Sequence, residues 1–227
     1  MPIRDRDLST MQENNMDSIN YSIKFFQDGG IFMYPILAIL ALGVGIASER
    51  YIYLSATKNK NRQMWDKVLP LLKSRDYKGA LEMMSKSDAV ICNILSYGLS
   101  RAGTAQKHDD VETAMEEGLL ETVPRLEKRT HYLSTFANVA TLMGLLGTVV
   151  GLIEAFTAVT NANPTEKAAL LSASISIGMN STAFGLVVAI PLLLIYSVLQ
   201  AKTVEIVDSL EMASVKVLNI IKEHPGK

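Results

Sequence analysis

One cysteine in 227 residues, Cys92, excludes an intramolecular disulfide framework and a CxxC metal site. The three histidines, His108, His131 and His224, stand apart and show no metal-ligand spacing. Neither a glycine-rich phosphate-cradling motif nor a nucleophile motif occurs, so no catalytic centre and no cofactor is expected. Lysine and arginine total 22 against 23 acids, a formal net charge of −1, so nothing points to nucleic acid. The most telling absence is local. Charge is missing from residues 29–48 and 168–201, and residues 130–165 hold Glu154 alone. Each run reaches or exceeds the ~20 residues a helix needs to cross ~30 Å of hydrocarbon. With 48% hydrophobic and 20% charged residues, an ordinary soluble enzyme is excluded. The chain reads as an all-α integral membrane protein with three transmembrane helices and long cytoplasmic helical extensions.

Residues 1–29 form a polar N-terminal segment without a short apolar core and cleavage site, so no cleaved signal peptide is expected. Met11, Met16, Ile19, Ile23 and Phe26 recur at helical spacing, which fits either an interfacial amphipathic helix or a partly ordered leader. The first span covers 30–54 and ends in Glu49-Arg50-Tyr51-Ile52-Tyr53, an interfacial composition. Residues 55–131 make a polar block with three apolar stripes at helical spacing: Trp65, Val68, Leu69, Leu72; then Ala80, Leu81, Met84; then Val90, Ile91, Ile94, Leu95, Leu99. Residues 103–108 read as a loop and Asp109-Asp110 as a cap. The helix that follows is expected to continue unbroken through Pro124 into the second span, 132–160. Residues 161–167 are a turn, in which Asn163, Pro164 and Glu166 match an N-cap, a first-turn proline and a reciprocal acid. The third span, 168–199, is followed by a tail helix, 200–227, whose Val207, Leu210, Ser214, Val217 and Ile221 continue one stripe.

Orientation follows from the positive residues. Fourteen lie in residues 50–129 and four in the tail, against three in the N-terminal segment and one in the turn. The positive-inside bias therefore expects the block and tail in the cytoplasm, and the N-terminus and turn in the periplasm.

The two long spans hold small residues at three- and four-residue spacing: Gly144, Gly147 and Gly151 in one, Gly178, Ser181 and Gly185 in the other. Such stripes let helix backbones approach closely in lipid. Thr148 lies as far before the turn centre near residue 165 as Thr182 lies after it, so the two belong at one depth, ~20 Å below the outer surface. Facing hydroxyls there, with Ser181 alongside, either line a polar path or bond the carbonyl one turn back. Glu154 is the sole carboxylate within these spans, near the outer mouth. It either snorkels or pairs with Lys167, or forms a cation-concentrating ring in an oligomer.

Two stretches resemble the MotA/TolQ/ExbB family, in its three-span ExbB/TolQ branch. One is Gly144-Leu145-Leu146-Gly147-Thr148-Val149-Val150-Gly151-Leu152-Ile153 followed by Ala155-Phe156; the other runs from Ser181-Thr182-Ala183-Phe184-Gly185 to Pro191 and Ile195-Tyr196. The resemblance implies a homopentameric ring in the bacterial inner membrane around two copies of an ExbD/TolR-like single-span subunit carrying a membrane aspartate. It implies that flow of H⁺ or Na⁺ drives mechanical work on the cell envelope, for example through a TonB-like protein. Thr148 and Thr182 match the family's pore-lining threonines, and Pro191 its final-span proline. One position departs. The family's usual glutamate five residues before the last-span threonine is Ile177 here. The pore carboxylate must then come from the partner unless Glu154 substitutes, and a hydroxyl-lined site beside one acid suits Na⁺ as well as H⁺. The alternative class is a non-conducting scaffold of an envelope complex. A stand-alone channel is disfavoured by the absence of a mid-membrane acid.

Overall fold

The computed structural model describes residues 25–26, 29–102 and 108–222. The amphipathic reading of the N-terminal segment, Phe26 apart, and residues 103–107 of the loop reading lie outside the described residues. His108, read as the end of that loop, begins a helix with Asp109-Asp110 inside its first turn. Among those residues the chain is all helical: α1 Met33–Lys73, α2 Tyr77–Ser85, α3 Val90–Ala102, α4 His108–Glu127, α5 Thr130–Asn161 and α6 Lys167–Lys222. Three stretches, within α1, α5 and α6, are long and apolar enough to cross a membrane. The chain divides into two compact units. An apolar unit holds the residues up to Gly45 with Tyr132–Leu194, and a polar unit holds Ile46–His131 with the residues from Ile195 onward.

In the apolar unit α5 and α6 run antiparallel with their main chains in contact. A Cβ on Gly144 would lie 3.0 Å from the Ser181 carbonyl oxygen and 3.1 Å from the Thr182 Cα. One on Gly151 would meet the Ser174 carbonyl oxygen at 3.0 Å, and one on Gly178 the Thr148 Cα at 2.9 Å. The tightest is Gly185, whose added Cβ would sit 2.7 Å from the Ala140 carbonyl oxygen. Backbone cannot yield as a flexible side chain can, so these glycines set the interhelical distance. Pro191 is not used in this way. It lies on an exposed face of α6, which passes through it unbroken.

The first helix lies parallel to α6 in this unit. The Ser181 hydroxyl donates to the Gly29 carbonyl over 2.7 Å, and Gly43 abuts the Leu192 side chain. Gly30 (φ 74°) turns the chain into α1, and Phe26 meets both Tyr34 and Phe184 edge-on at 5.4 and 5.9 Å. Ser181 is fourteen residues past Lys167, so the α5–α6 hairpin extends about 21 Å beyond the level where α1 begins.

The turn into α6 differs from the capping-box expectation. The main-chain carbonyl of Asn163 accepts from the Glu166 and Lys167 N–H groups at 2.9 and 3.2 Å, and the helix begins at Lys167. Pro164 therefore stands in the turn, ahead of the first helical position.

In the polar unit the apolar stripes are buried. Val68 and Leu72 of α1, Ala80 and Met84 of α2, and Ile94, Leu95 and Leu99 of α3 form the core with Leu210 and Val217 of α6. Helices α3 and α4 touch closely at Gly118, where a Cβ would lie 3.1 Å from the Ile94 Cα. Helix α1 ends in a Schellman arrangement with Arg75 at φ 64°: Arg75 N–H donates to Leu72 and Asp76 N–H to Leu71. The Asp76 carboxylate then accepts from the Gly79 N–H at 2.9 Å and caps α2.

The expected unbroken passage from α4 to the second span is corrected. Pro124 is accommodated within α4, but Arg129 adopts φ 67° and the helix stops at Glu127 before restarting at Thr130. Arg50 holds this break together. It is 4% exposed, its Nη2 donates to the Leu126 carbonyl, and its Nε donates to the Thr130 hydroxyl at 3.3 Å. Tyr53 lies against the guanidinium at 4.9 Å. The belt arginine is thus a buried clamp on two helix ends rather than an interfacial anchor. Arg129 itself pairs with Glu49 at 2.8 Å.

Two outcomes are expected from this packing. Gly185→Ala should destabilise the chain by roughly 1–3 kcal/mol in thermal unfolding in detergent, since two main chains must separate. Gly45→Ala, where a Cβ meets nothing within 4 Å, should be neutral or stabilising. Equal effects at both positions would contradict the close approach. Cys92 is 2% exposed, and burial pushes its thiol up from the usual range, against the smaller opposing pull of a bond to Ser87. Maleimide labelling at neutral pH should be slow in the folded protein and fast once it is unfolded.

Candidate ion-conducting site

Thr148 of α5 and Thr182 of α6 meet across the glycine contact. Each stands four residues after a glycine in its own helix, Gly144 and Gly178. A threonine in a membrane helix ordinarily bonds the carbonyl one turn back, which here would be that glycine's. The structure exchanges the two. Thr148 Oγ1 donates to the Gly178 carbonyl at 3.0 Å, Thr182 Oγ1 donates to the Gly144 carbonyl at 2.9 Å, and the two hydroxyl oxygens touch. The exchange requires helices close enough for a short side chain to span them, which the missing Cβ atoms permit.

The proton count of this cluster matters. Two hydroxyls supply two protons, while three polar contacts exist: two to carbonyls and one between the hydroxyls. At any moment one of the three contacts therefore goes without a proton, either the one between the hydroxyls or one of the two to carbonyls. The cluster has more acceptors than donors, and an arriving proton or small cation meets oxygen ligands already held in place by two helices. Both threonines are half-buried, so the cluster is open on one side. None of its members ionises.

The other residues singled out from the sequence lie elsewhere. Ser181 is buried, and its hydroxyl is committed to the Gly29 carbonyl, so it fixes the start of α1 rather than joining the pair. Glu154 is exposed and sits six residues from Thr148, about 9 Å along the axis and ~120° around the helix. Among the described residues it has no ion-pair partner, Lys167 included. Ile177 faces the Gly30 turn, where a Cβ on Gly30 would lie 3.0 Å from its Cγ2. The pair is also level with the start of α1, because its neighbour Ser181 bonds Gly29. Sequence reasoning missed the Gly29 turn as a component of this region; the Gly29-Gly30 doublet ahead of an apolar run was its only signal.

A family model described as the MotA/TolQ/ExbB proton channel family matches residues 86–212, which include both threonines and all five glycines of the hairpin. The chain belongs to this family. An ExbB-like 3 biopolymer transport protein of Synechocystis is 28% identical over 174 residues, covering 76% of this chain and 82% of the relative. An ExbB-like 1 protein of the same organism is 30% identical over 182 residues, covering 77% and 68%. The biopolymer transport protein ExbB of Pseudomonas putida is 26% identical over 211 residues, covering 84% and 62%. Family membership together with the three apolar spans makes this a multi-pass membrane protein, and the family is one of proton channels.

The exchanged hydrogen bonds make the two threonines energetically dependent. In a double-mutant cycle with Thr148→Val and Thr182→Val, unfolding in detergent should give a coupling of about 0.6–1.7 kcal/mol, the range of interhelical bonds in membranes. Strict additivity would mean that the hydroxyls do not sense each other.

Proposed function

We propose that this chain is the ring-forming subunit of an ion-driven inner-membrane motor. In this reading five copies surround the membrane helices of two ExbD/TolR-like subunits. Passage of H⁺ or Na⁺ past Thr148 and Thr182 turns the ring against its axle and powers envelope work, with a TonB-like protein as one recipient. The polar unit and the C-terminus lie in the cytoplasm, as the positive residues beside the first span favour. The observation that carries the proposal is the acceptor-rich threonine cluster with no acid in it. It offers oxygen ligands but no titratable group, so it requires a carboxylate from a second subunit, and an axle helix with a membrane aspartate provides one. The biopolymer transport names of the relatives accord with such work.

The test is co-expression with the candidate single-span partner, followed by native mass spectrometry and ion flux in proteoliposomes. The expected mass is five copies with two partner chains. Thr148→Ala and Thr182→Val should keep that mass and lower flux, because each removes an oxygen ligand from the path. Flux that persists in Na⁺-free medium assigns H⁺, and flux that requires Na⁺ assigns Na⁺. Rings that never retain the partner, or a parent complex that passes no ions, would favour a non-conducting scaffold, and parent-level flux in both variants would take the threonines out of the path.

A further inference from the structure

The polar unit contains a cavity of about 230 Å³ that has no part in the threonine cluster. Its walls come from α1, the start of α3 and the distal part of α6. Three cations stand on it, Lys58, Arg62 and Lys216, against one acid, Glu205, which pairs with Lys58 at 2.5 Å. Among the described residues neither Arg62 nor Lys216 has an ion-pair partner. The lining therefore carries a net charge of two positives, on exposed side chains around a small volume, a local potential that favours an anion.

A second, independent feature points the same way. Asn61 lies in this wall, only 4% exposed. Its Oδ1 accepts from the Ile91 N–H at 3.2 Å, in the first turn of α3, and this bond fixes which end of the amide is oxygen. The other end, Nδ2, is buried without any acceptor. A buried donor left unpaired costs about 1–3 kcal/mol, so the fold maintains a donor here at a loss unless something accepts from it. The positive end of the 13-residue α3 adds to the same potential. Trp65 supplies an apolar wall beside these groups.

We propose that this cavity binds a phosphate group carried on an apolar body. A phosphomonoester matches the two-positive excess with its own charge and a phosphodiester headgroup offsets half of it, and either offers several acceptor oxygens for Arg62, Lys216 and the Asn61 amide. Trp65 takes the apolar part. The phosphate is either the headgroup of an anionic phospholipid or that of a soluble phosphate ester. Asn61 is eight residues past Tyr53 of the tyrosine pair, about 12 Å along α1 from that tyrosine.

Trp65 is the sole tryptophan of the sequence, so intrinsic fluorescence of the full-length protein in detergent reports on this wall directly. The probes are inorganic phosphate, dihexanoyl phosphatidylglycerol and dihexanoyl phosphatidylcholine, in phosphate-free buffer, with chloride at matched ionic strength as control. A saturable emission change is expected with phosphatidylglycerol, with inorganic phosphate, or with both. A response to the lipid alone assigns a headgroup, and a response to inorganic phosphate assigns a soluble source. Arg62→Ala combined with Lys216→Ala, both exposed positions, should weaken the response at least about tenfold through loss of two charge-assisted contacts. Asn61→Asp keeps the acceptor for Ile91 while replacing the donor with an anionic oxygen, and should abolish the response in protein that retains its helical circular dichroism. The proposal is overturned if no probe saturates, if phosphatidylcholine or chloride acts equally, or if the double variant responds like the parent.

Discussion

Contact between two helix backbones, made possible by four glycines that lack a Cβ, is the constraint on which the apolar unit depends. Gly144, Gly151, Gly178 and Gly185 bring α5 and α6 to van der Waals distance of each other's carbonyls and Cα atoms. In lipid, where apolar side chains gain little by leaving the solvent, such contact is what holds helices together. The same proximity moves Thr148 and Thr182 from intrahelical bonding to interhelical bonding. Packing and polar chemistry are therefore one feature. A wider helix pair would return each hydroxyl to its own backbone and leave no shared cluster.

Much of this was legible in the sequence. Charge-free runs gave the three apolar helices because each ionised side chain in hydrocarbon costs several kcal/mol, a strong filter on composition. Counting outward from the turn placed Thr148 opposite Thr182 because an antiparallel hairpin of regular helices keeps a constant rise. The stripes of the polar unit became its core for the reason that governs any amphipathic helix. What failed was local backbone conformation and long-range partnering. Nothing in Lys128-Arg129 signals a left-handed residue, since glycine is the ordinary choice there. Its cause is tertiary, because the buried Arg50 side chain captures Leu126 and Thr130 from 76 and 80 residues away. Ser181 looked like a member of the threonine group because it is adjacent in sequence, yet neighbouring residues on a helix point about 100° apart. It serves Gly29 instead.

The polar unit is built on a different principle. Its core is an ordinary apolar one, but its helix ends are tied by directed polar contacts. Arg50 is the clearest, a guanidinium whose planar set of donors spans the end of one helix and the start of the next. Glu49 and Arg129 reinforce the same corner, and Lys202, lying 3.7 Å over the Tyr51 ring, bonds Ser55 at 3.0 Å. Exposed pairs of this kind add little individually, whereas a buried arginine deprived of its carbonyl leaves both groups unsatisfied. The sturdiness of the corner therefore rests on Arg50 far more than on the salt bridges around it.

The Ser181–Gly29 bond joins groups 152 residues apart, and this separation bears on how the chain acquires its structure. Helix α1 precedes α6 in the chain, so it is made before the surface it packs on in the apolar unit. The hairpin of α5 and α6 needs only its own short turn to close and can form as soon as both helices exist. Docking of α1 must instead await the middle of α6 and bring together groups 152 residues apart, a contact of high sequence separation. Until then the Ser181 hydroxyl and the Gly29 carbonyl remain without their final partners. Chain separation therefore favours closing the α5–α6 hairpin first and the Gly29 turn over α6 afterwards.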